Sequence, residues 1–259
     1  RTRQTTLPLG FWIQDRWQAA PGLTVEAGLR YDRQWMPSGI PAASRNLAPR
    51  LGLAWRPTHD APWVFRAGFG LFFDRYALAF LNDAIQKDGV SGWETYLAGG
   101  ATLAARSTYR ASADFPATYS RKLSAGFERA LDRDTTITAE FSSVAGFHLS
   151  RIRNATLTLP PRYLLEQTAS SRYLGGTISL HRRLRKELTY LVAYSAGRTH
   201  DDASDFDEHP LDPSNLRLDW ARSRQHQSQR LAASALFDLT DRGSKPWAGI
   251  TMAPQFSAG

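Results

Sequence analysis

The sequence predicts an all-β protein, an antiparallel up-and-down meander of about ten strands that forms a segment of a transmembrane β-barrel. Stretches of alternating apolar and polar residues recur along the chain, and the connections between them are alternately short and long. Aromatic residues lie near both ends of these stretches. Outer-membrane barrels combine tight turns on one side with larger loops on the other, and carry an aromatic girdle at each interface.

The connections differ in length in a regular order. The short connections fall at residues 20–22, 57–62, 132–134, 185–187 and 241–246. The long connections fall at residues 36–47, 77–118, 147–171 and 201–225. This order is typical of barrel hairpins in a membrane and separates the chain from most soluble all-β proteins. Within the longest connection, residues 77–88 have mild helical spacing, so a short helix and an irregular loop both stay open.

Composition limits the possible classes of protein. The chain has 259 residues, which we treat as a single domain, residues 1–259; 42% are hydrophobic and 12% aromatic. No stretch approaches the ~18 uninterrupted apolar residues of a membrane helix. The absence of cysteine excludes disulfides, zinc–thiolate sites and thiol catalysis. The net charge is +8, but the arginines are scattered along the strand-like stretches, so we expect no nucleic-acid partner. These side chains suit a polar lumen or lipopolysaccharide phosphates.

The clearest strand occupies residues 23–32. Leu23, Val25 and Leu29 fall on one face and Glu26 on the other, because successive side chains of a strand point to opposite sides. We expect the apolar face to contact lipid. The same alternation predicts the other strands, at residues 9–19, 50–56, 63–73, 122–128, 137–142, 174–180, 188–194, 231–239 and 247–257.

Aromatic residues at the strand ends predict two membrane interfaces. Those beside the tight turns are Trp17, Trp55, Trp63 and Trp247. Those beside the long connections are Tyr31, Trp35, Phe73 and Tyr76. Aromatic rings with a polar edge favour such interfaces. The alternative is that Trp and Tyr simply favour strands, and the regular order of loop lengths favours the interface interpretation.

The direction of the strands predicts a larger parent barrel. The first and last strands would both have their free ends on the long-loop side, whereas bacterial barrels normally keep both chain ends on the side of the short turns. An open sheet would also leave two unpaired edges. We therefore expect the chain to be an internal piece of a larger barrel.

Several runs of residues resemble one family when they are taken in order. They are FWIQDRW at 11–17, LTVEAGLRY at 23–31, APRLGLAW at 48–55, FRAGFGLFFDR at 65–75 and YSAGRTHDDAS at 194–204. Together they resemble the barrel of TonB-dependent transporters, and within these the Oar-like group. The resemblance covers nearly the whole chain except the loop at residues 77–115.

The resemblance implies a fold, a function and a set of partners. The fold is a barrel of 22 strands closed around a plug domain, and the function is import of bulky, scarce solutes. The implied partners are outer-membrane lipid, lipopolysaccharide, the transported solute and the TonB complex, which is reached through the plug. The sequence contains no plug domain or TonB box, so it corresponds to about half of such a barrel.

One group of acidic residues stands out in the last long connection. The group consists of Asp201, Asp202, Asp205, Asp207 and Glu208. Several carboxylates would suit a hard cation such as Ca²⁺. Because the spacing lacks the regular D-x-D-x-D-G pattern, we favour a solvated loop whose acids pair with neighbouring arginines such as Arg217, Arg222 and Arg224. We expect no cofactor.

A catalytic function is not expected. Asp205, Asp207 and His209 superficially suit acid–base chemistry, but they share one loop, whereas outer-membrane proteases need such groups on opposite walls of a cleft. The sequence therefore predicts an outer-membrane TonB-dependent transporter segment. Two rivals stay open: a structural or passive pore barrel, and a soluble β-sandwich such as a carbohydrate-binding module.

Overall fold

The computed structural model describes residues 5–97, 104–156, 159–184, 188–238, 251–252 and 255–258. Predictions that concern the turns at 185–187 and 241–246, and Trp247, lie outside the described residues. The described residues form one long antiparallel sheet with a small helical insertion. Among them, no helix is long and apolar enough to cross a bilayer.

The main sheet is a meander of antiparallel strands. The strands are β1 (Leu7–Ala20), β2 (Leu23–Trp35), β3 (Asn46–Trp55), β4 (Trp63–Phe73), β5 (Glu94–Leu97), β6 (Ala104–Ala111), β7 (Tyr119–Ala130), β8 (Thr135–Asn154), β9 (Arg162–Leu184), β10 (Leu188–Asp201), β11 (Ala221–Arg222), β12 (Gln229–Asp238), β13 (Thr251–Met252) and β14 (Gln255–Ala258). The order in the sheet is β1-β2-β3-β4-β7-β8-β9-β10-β12-β13, and β14 also pairs with β12.

Each predicted strand has a counterpart in this meander, the last of them only in its described residues 251–252 and 255–258, and the register preserves the predicted faces. Val25 pairs with Leu53, and Leu53 pairs with Ala67, so apolar side chains meet across β2, β3 and β4. Glu26 pairs with Gly52 and lies on the opposite face. The predicted fold class, an all-β antiparallel meander of about ten strands, is confirmed.

No second layer covers the apolar face within the described residues. Leu51 is 56% exposed and Ile178 is 61% exposed. The substantial contacts between elements join sheet neighbours or belong to the insertion between β4 and β7. A β-sandwich would bury this face under another sheet. The rival interpretation as a soluble β-sandwich is therefore wrong.

The strands are staggered in the sense that a barrel requires. One row of register partners starts at the first residue of β2 and reaches the seventh residue of β10, six strands further along the sheet. The row runs through Leu23, Trp55, Phe65, Phe127, Ala139, Ile178 and Tyr194. A climb of about one residue per strand corresponds to a tilt of roughly 35°. This lies at the lower end of the range that transmembrane barrels adopt.

The turn between β1 and β2 shows why the short connections can be tight. Gly22 has a φ of +75°, which residues with a Cβ rarely adopt, and a Cβ there would lie 1.8 Å from the Arg56 carbonyl oxygen. The Gly22 carbonyl accepts a 2.7 Å hydrogen bond from the Arg56 amide. The glycine thus lets the β1–β2 turn pack directly against the end of β3.

The prediction of a long loop at residues 147–171 is wrong, because most of these residues belong to two strands. β8 continues to Asn154 and β9 begins at Arg162, so the two strands extend well past their neighbours. Register shifts occur on both sides of Leu149, and His148 adopts a φ of 55°. Such bulges move side chains from one face to the other, which breaks the period-2 pattern without ending the strands.

The connection between β4 and β7 folds into a packed structure that we call the loop cap. It contains α1 (Leu78–Gln86) and the β5–β6 hairpin, and β6 pairs in parallel with β9. The helical alternative for residues 77–88 is therefore correct. The buried core of the cap and its supports consists of Tyr76, Phe80, Leu81, Ala84, Tyr109, Phe115, Ala117, Ile152 and Leu165. Within the described part of the chain, the buried apolar cluster thus lies at the long-loop end and not along the sheet.

Candidate functional site

The polar face of the sheet carries a set of ion pairs. Arg16 lies 2.7 Å from Glu26, and Arg66 lies 2.8 Å from Glu128 across neighbouring strands. These side chains remain largely exposed, so each pair contributes only ~0–1 kcal/mol. In each pair the negative charge of the glutamate offsets the positive charge of the arginine on this face. The polar face is therefore suited to contact water or other polar groups along its length.

The aromatic residues predicted at the tight-turn end lie on the apolar face. The Trp55 and Trp63 ring centroids are 5.9 Å apart in an edge-to-face arrangement, and Trp55 stacks on Phe65 at 6.0 Å. Trp17 pairs with Val25 on the same face and is 47% exposed. These rings therefore lie on the apolar face beside the short turns.

The aromatic residues at the long-loop end follow the same face, with one exception. Tyr31 pairs with Leu47, and Phe73 pairs with Tyr119 at a centroid distance of 5.3 Å. Trp35 is 41% exposed and lies under the Arg33 guanidinium, 4.7 Å away.

Tyr76 is the exception, and its prediction as an interface residue is corrected. Its side chain is only 7% exposed, since it belongs to the core of the loop cap. The Tyr76 hydroxyl donates a 2.9 Å hydrogen bond to the Phe115 carbonyl and accepts a 3.0 Å hydrogen bond from the Ala43 amide. The Tyr76 amide donates to Oε1 of Gln34. Tyr76 therefore fastens three separate chain segments together and is not available to lipid.

A polar cluster supports the cap beside this core. Lys87 Nζ donates to Glu94 and also lies 3.0 Å from Asp83 Oδ1. The hydrogen bond from Lys87 lowers the pKa of Glu94. Burial raises the pKa of the Tyr109 hydroxyl, which donates a 2.9 Å hydrogen bond to Glu94. The cluster is fully satisfied as a charged lysine, an ionised glutamate and a neutral tyrosine, so it holds α1 against the β5–β6 hairpin.

The acidic residues of the last long connection do not converge on one point. Among the described residues, no group of three or more acidic or histidine side chains is arranged to hold a metal ion. Asp202 pairs with Arg151, and Glu208 pairs with Arg224 at 2.6 Å. Asp201 accepts from the Ser204 hydroxyl. Asp205 and Asp207 are exposed. The pairing of Glu208 with Arg224 agrees with the expected neutralisation by neighbouring arginines.

Arg151 is a buried residue that sequence reasoning missed. Its side chain is 1% exposed, and its Nη2 lies 2.7 Å from Asp202 Oδ1. Asp202 also accepts a 2.7 Å hydrogen bond from the Ser170 amide. The pair thereby joins the extended part of β8 to the end of β10. The sequence does not reveal this role, because nothing in it distinguishes the buried partner Asp202 from the exposed Asp205.

Replacing Asp202 with alanine is expected to loosen this junction by about 3 kcal/mol, because the Arg151 charge would stay buried without its carboxylate. Hydrogen–deuterium exchange should show lost protection in residues 149–154 and 166–171. Asp205→Ala is the matched control, since Asp205 is exposed and its Oδ1 contacts only the neighbouring Phe206 amide. Equal protection in the two variants would contradict a structural role for the pair.

An open polar cavity of about 440 Å³ lies beside this junction. It brings together side chains of both charges from β8 and the last long connection. Among its lining residues are Arg151, Asp201, Asp202, Glu208, Arg222 and Arg224. The cavity could accept a ligand that carries several polar groups.

Solved structures share this architecture. The iron transporter FrpB from Neisseria meningitidis superposes with a TM-score of 0.62 and 15% identity, over 98% of this chain and 33% of that chain. The outer membrane transporter YddB from Escherichia coli gives 0.67 and 12%, over 90% and 31%. The siderophore receptor PirA from Pseudomonas aeruginosa gives 0.57 and 12%, over 90% and 37%. The chain thus spans about a third of the length of these proteins.

The similarity to solved structures at these identities establishes the fold. No curated protein matches the sequence. The model of a family described as outer membrane beta barrel domain matches residues 34–252. The uncovered apolar face, the charge-compensated polar face and the staggered meander are the features that such a barrel needs. The chain therefore forms part of a barrel of the bacterial outer membrane and belongs to the outer membrane beta barrel domain family.

Proposed function

We propose that this chain forms part of the wall of a TonB-dependent transporter of the Oar-like group, which imports a bulky solute. The observation that carries the proposal is the combination of a staggered antiparallel meander with a packed cap at its long-loop end. The order of the sequence motifs supports the same group. A wall of this kind needs a plug and further strands, which the rest of the parent protein would supply.

The two faces have different partners in this proposal. The apolar face contacts lipid, and the polar face lines the lumen, where its ion pairs contact water, the plug and the passing solute. Trp17, Trp55 and Trp63 mark the periplasmic interface, and Tyr31, Trp35 and Phe73 mark the outer one. The long connections and the loop cap then lie outside the cell.

The polar cavity beside the Arg151–Asp202 pair supports a proposal about the class of solute. The similar structures include a protein described as an iron transporter and another described as a siderophore receptor. We propose that the solute of this protein is also a large polar molecule, because the cavity presents arginines and carboxylates together. The remaining partners are lipopolysaccharide at the outer rim and the TonB complex. We propose no nucleic-acid partner, since the arginines are scattered along the strands and are not gathered on one surface.

Solute uptake with and without TonB separates this function from a passive pore. The full-length protein that contains this chain is expressed in a bacterium from which its gene has been deleted. Growth is then measured on limiting amounts of ferric chelates, cobalamin and oligosaccharides. We expect a growth advantage on at least one solute that disappears when TonB is deleted, because transport against a plug requires transmitted energy.

The control is the amount of protein in the outer-membrane fraction, which must be equal in both strains. Uptake that persists without TonB would show a passive pore. If the protein gives no advantage on any solute although it is fully inserted, a structural role replaces transport.

A further inference from the structure

Three arginines lie close together on the apolar face, at the long-loop end of the sheet. Arg121 of β7 pairs with Ala145, which pairs with Arg172 of β9, so the two arginines lie in one row two strands apart. Arg198 of β10 pairs with Leu174, one step below that row. Strand spacing places Arg121 and Arg172 ~10 Å apart, and Arg172 and Arg198 are diagonal neighbours at ~7–8 Å.

The position of these arginines along the strands corresponds to the outer boundary of the membrane. Arg121 lies nine residues before the end of β7 at Ala130, and Arg172 twelve residues before the end of β9 at Leu184. Arg198 lies ten residues after Leu188, where β10 begins. A tilted strand rises ~2.5 Å per residue along the membrane normal, which puts the three side chains roughly 23–30 Å from the tight turns. The apolar band of a barrel is ~25 Å tall.

The three arginines differ from Arg16, Arg30 and Arg66 of the polar face in that they have no acidic partner. All three are exposed, and none makes an ion pair within the described part of the chain. The Arg121 guanidinium lies 5.6 Å from the Phe147 ring. The small side chain of Ala145 separates Arg121 from Arg172 and leaves room between the two guanidinium groups.

The basic row continues into the last long connection. His200 pairs with Arg172 on one side and with Arg222 on the other. The ring of Trp220 stacks on His200 at 6.2 Å. Positive charge and aromatic rings therefore extend along one level of the apolar face. Guanidinium groups at such a level are suited to bind phosphate, because their planar donors match two phosphate oxygens.

An apolar groove with a volume of about 640 Å³ lies on the same face, toward the tight turns. Its floor and walls include Ala125, Phe141, Gly176, Ile178, Tyr194 and Ala196. Ala196 is separated from Arg198 by a single residue of β10, so the groove opens directly below the arginines. A hydrocarbon chain that enters this groove would leave its polar head at the level of the guanidinium groups.

We propose that β7 to β10 bind one phosphorylated, acylated glycolipid of the outer leaflet. Its phosphates contact Arg121, Arg172 and Arg198, and one acyl chain occupies the groove. The inference rests on the proposed orientation of the barrel, with the long connections outside. It assigns lipopolysaccharide a defined site in place of general contact with the rim.

Lipid retention by the purified full-length protein tests the site. The probe is diphosphorylated, hexa-acylated lipid A, compared with its monophosphorylated form and with inorganic phosphate, and bound lipid is counted by native mass spectrometry. The triple variant Arg121→Ala/Arg172→Ala/Arg198→Ala should bind lipid A more weakly by on the order of 100-fold, or roughly fivefold per arginine. Inorganic phosphate should not displace the lipid, because it cannot occupy the groove.

Matched controls keep the result specific. Arg129→Ala/Arg182→Ala removes two apolar-face arginines at the opposite end of β7 and β9, and it should retain lipid A as the unchanged protein does. Ala196→Leu narrows the groove without changing charge, and it should weaken binding of both forms of lipid A. Equal retention in the triple variant and the unchanged protein would overturn the site, as would equal weakening by the Arg129/Arg182 variant.

The outcome is independent of the transport proposal. A protein that inserts and holds lipid A through these arginines but imports nothing would leave the lipid site standing and remove the transport function. A protein that imports solute and binds lipid A equally well without the three arginines would remove only the lipid site.

Discussion

Replacing Ile178 with arginine is expected to block assembly of the barrel in the outer membrane. Ile178 is 61% exposed on the apolar face and lies six residues before the end of β9. At ~2.5 Å per residue this is about 15 Å from the tight turns, near the middle of the apolar band. An arginine there costs ~2–4 kcal/mol. The measurement is equilibrium folding of the full-length protein into phospholipid bilayers, together with its amount in the outer-membrane fraction.

The adjacent residue provides the control. Ser179 pairs with Thr138 and Ala193 on the polar face, so Ser179→Arg should insert normally. Val25→Arg should have a smaller effect of about 0–1 kcal/mol, since Val25 is only two residues from the start of β2, near the interface. If Ile178→Arg inserts as well as Ser179→Arg, the assignment of the apolar face to lipid is wrong.

Replacing Tyr76 with alanine is expected to open the loop cap while leaving the barrel inserted. The loss of a buried aromatic ring costs ~3–5 kcal/mol, and the Phe115 carbonyl and the Ala43 amide would lose their hydrogen-bond partner. The expected total is about 5 kcal/mol, confined to the cap. Limited proteolysis of the inserted protein should therefore cut residues 77–117 rapidly, whereas the strands stay protected.

A conservative variant separates the two contributions. Tyr76→Phe keeps the stacking on Phe115, whose ring centroid is 5.3 Å away, and removes only the hydroxyl. It should cost ~1–3 kcal/mol and give intermediate cleavage. Unchanged cleavage in Tyr76→Ala would show that the cap does not depend on this residue.

The strands of the sheet could be predicted from sequence because each carries its own signal. The alternation from Leu23 to Asp32 depends only on the pleat of a strand, so it survives without knowledge of the partner strands. The same holds for residues 63–73. Where a bulge intervenes, as at His148, the period is reset, and the sequence pattern predicts a loop where β8 and β9 in fact continue.

The cap could not be predicted because its contacts join residues that are far apart in sequence. Tyr76 contacts Ala43 and Phe115, and nothing near Tyr76 in sequence indicates either partner. Its position next to a predicted strand end made it look like an interface residue. The basic row of Arg121, Arg172 and His200 was missed for a related reason, because only the register brings these residues to one level.

The parallel pairing of β6 with β9 gives the connection between β4 and β7 an unusual mechanical role. This segment leaves the wall at Phe73, is fastened to β9 three strands away in the sheet order, and returns at Tyr119. It therefore connects separated parts of the sheet. A molecule that displaces this segment must separate β6 from β9 while the two ends of the segment stay anchored in β4 and β7, so the segment can move only as a unit.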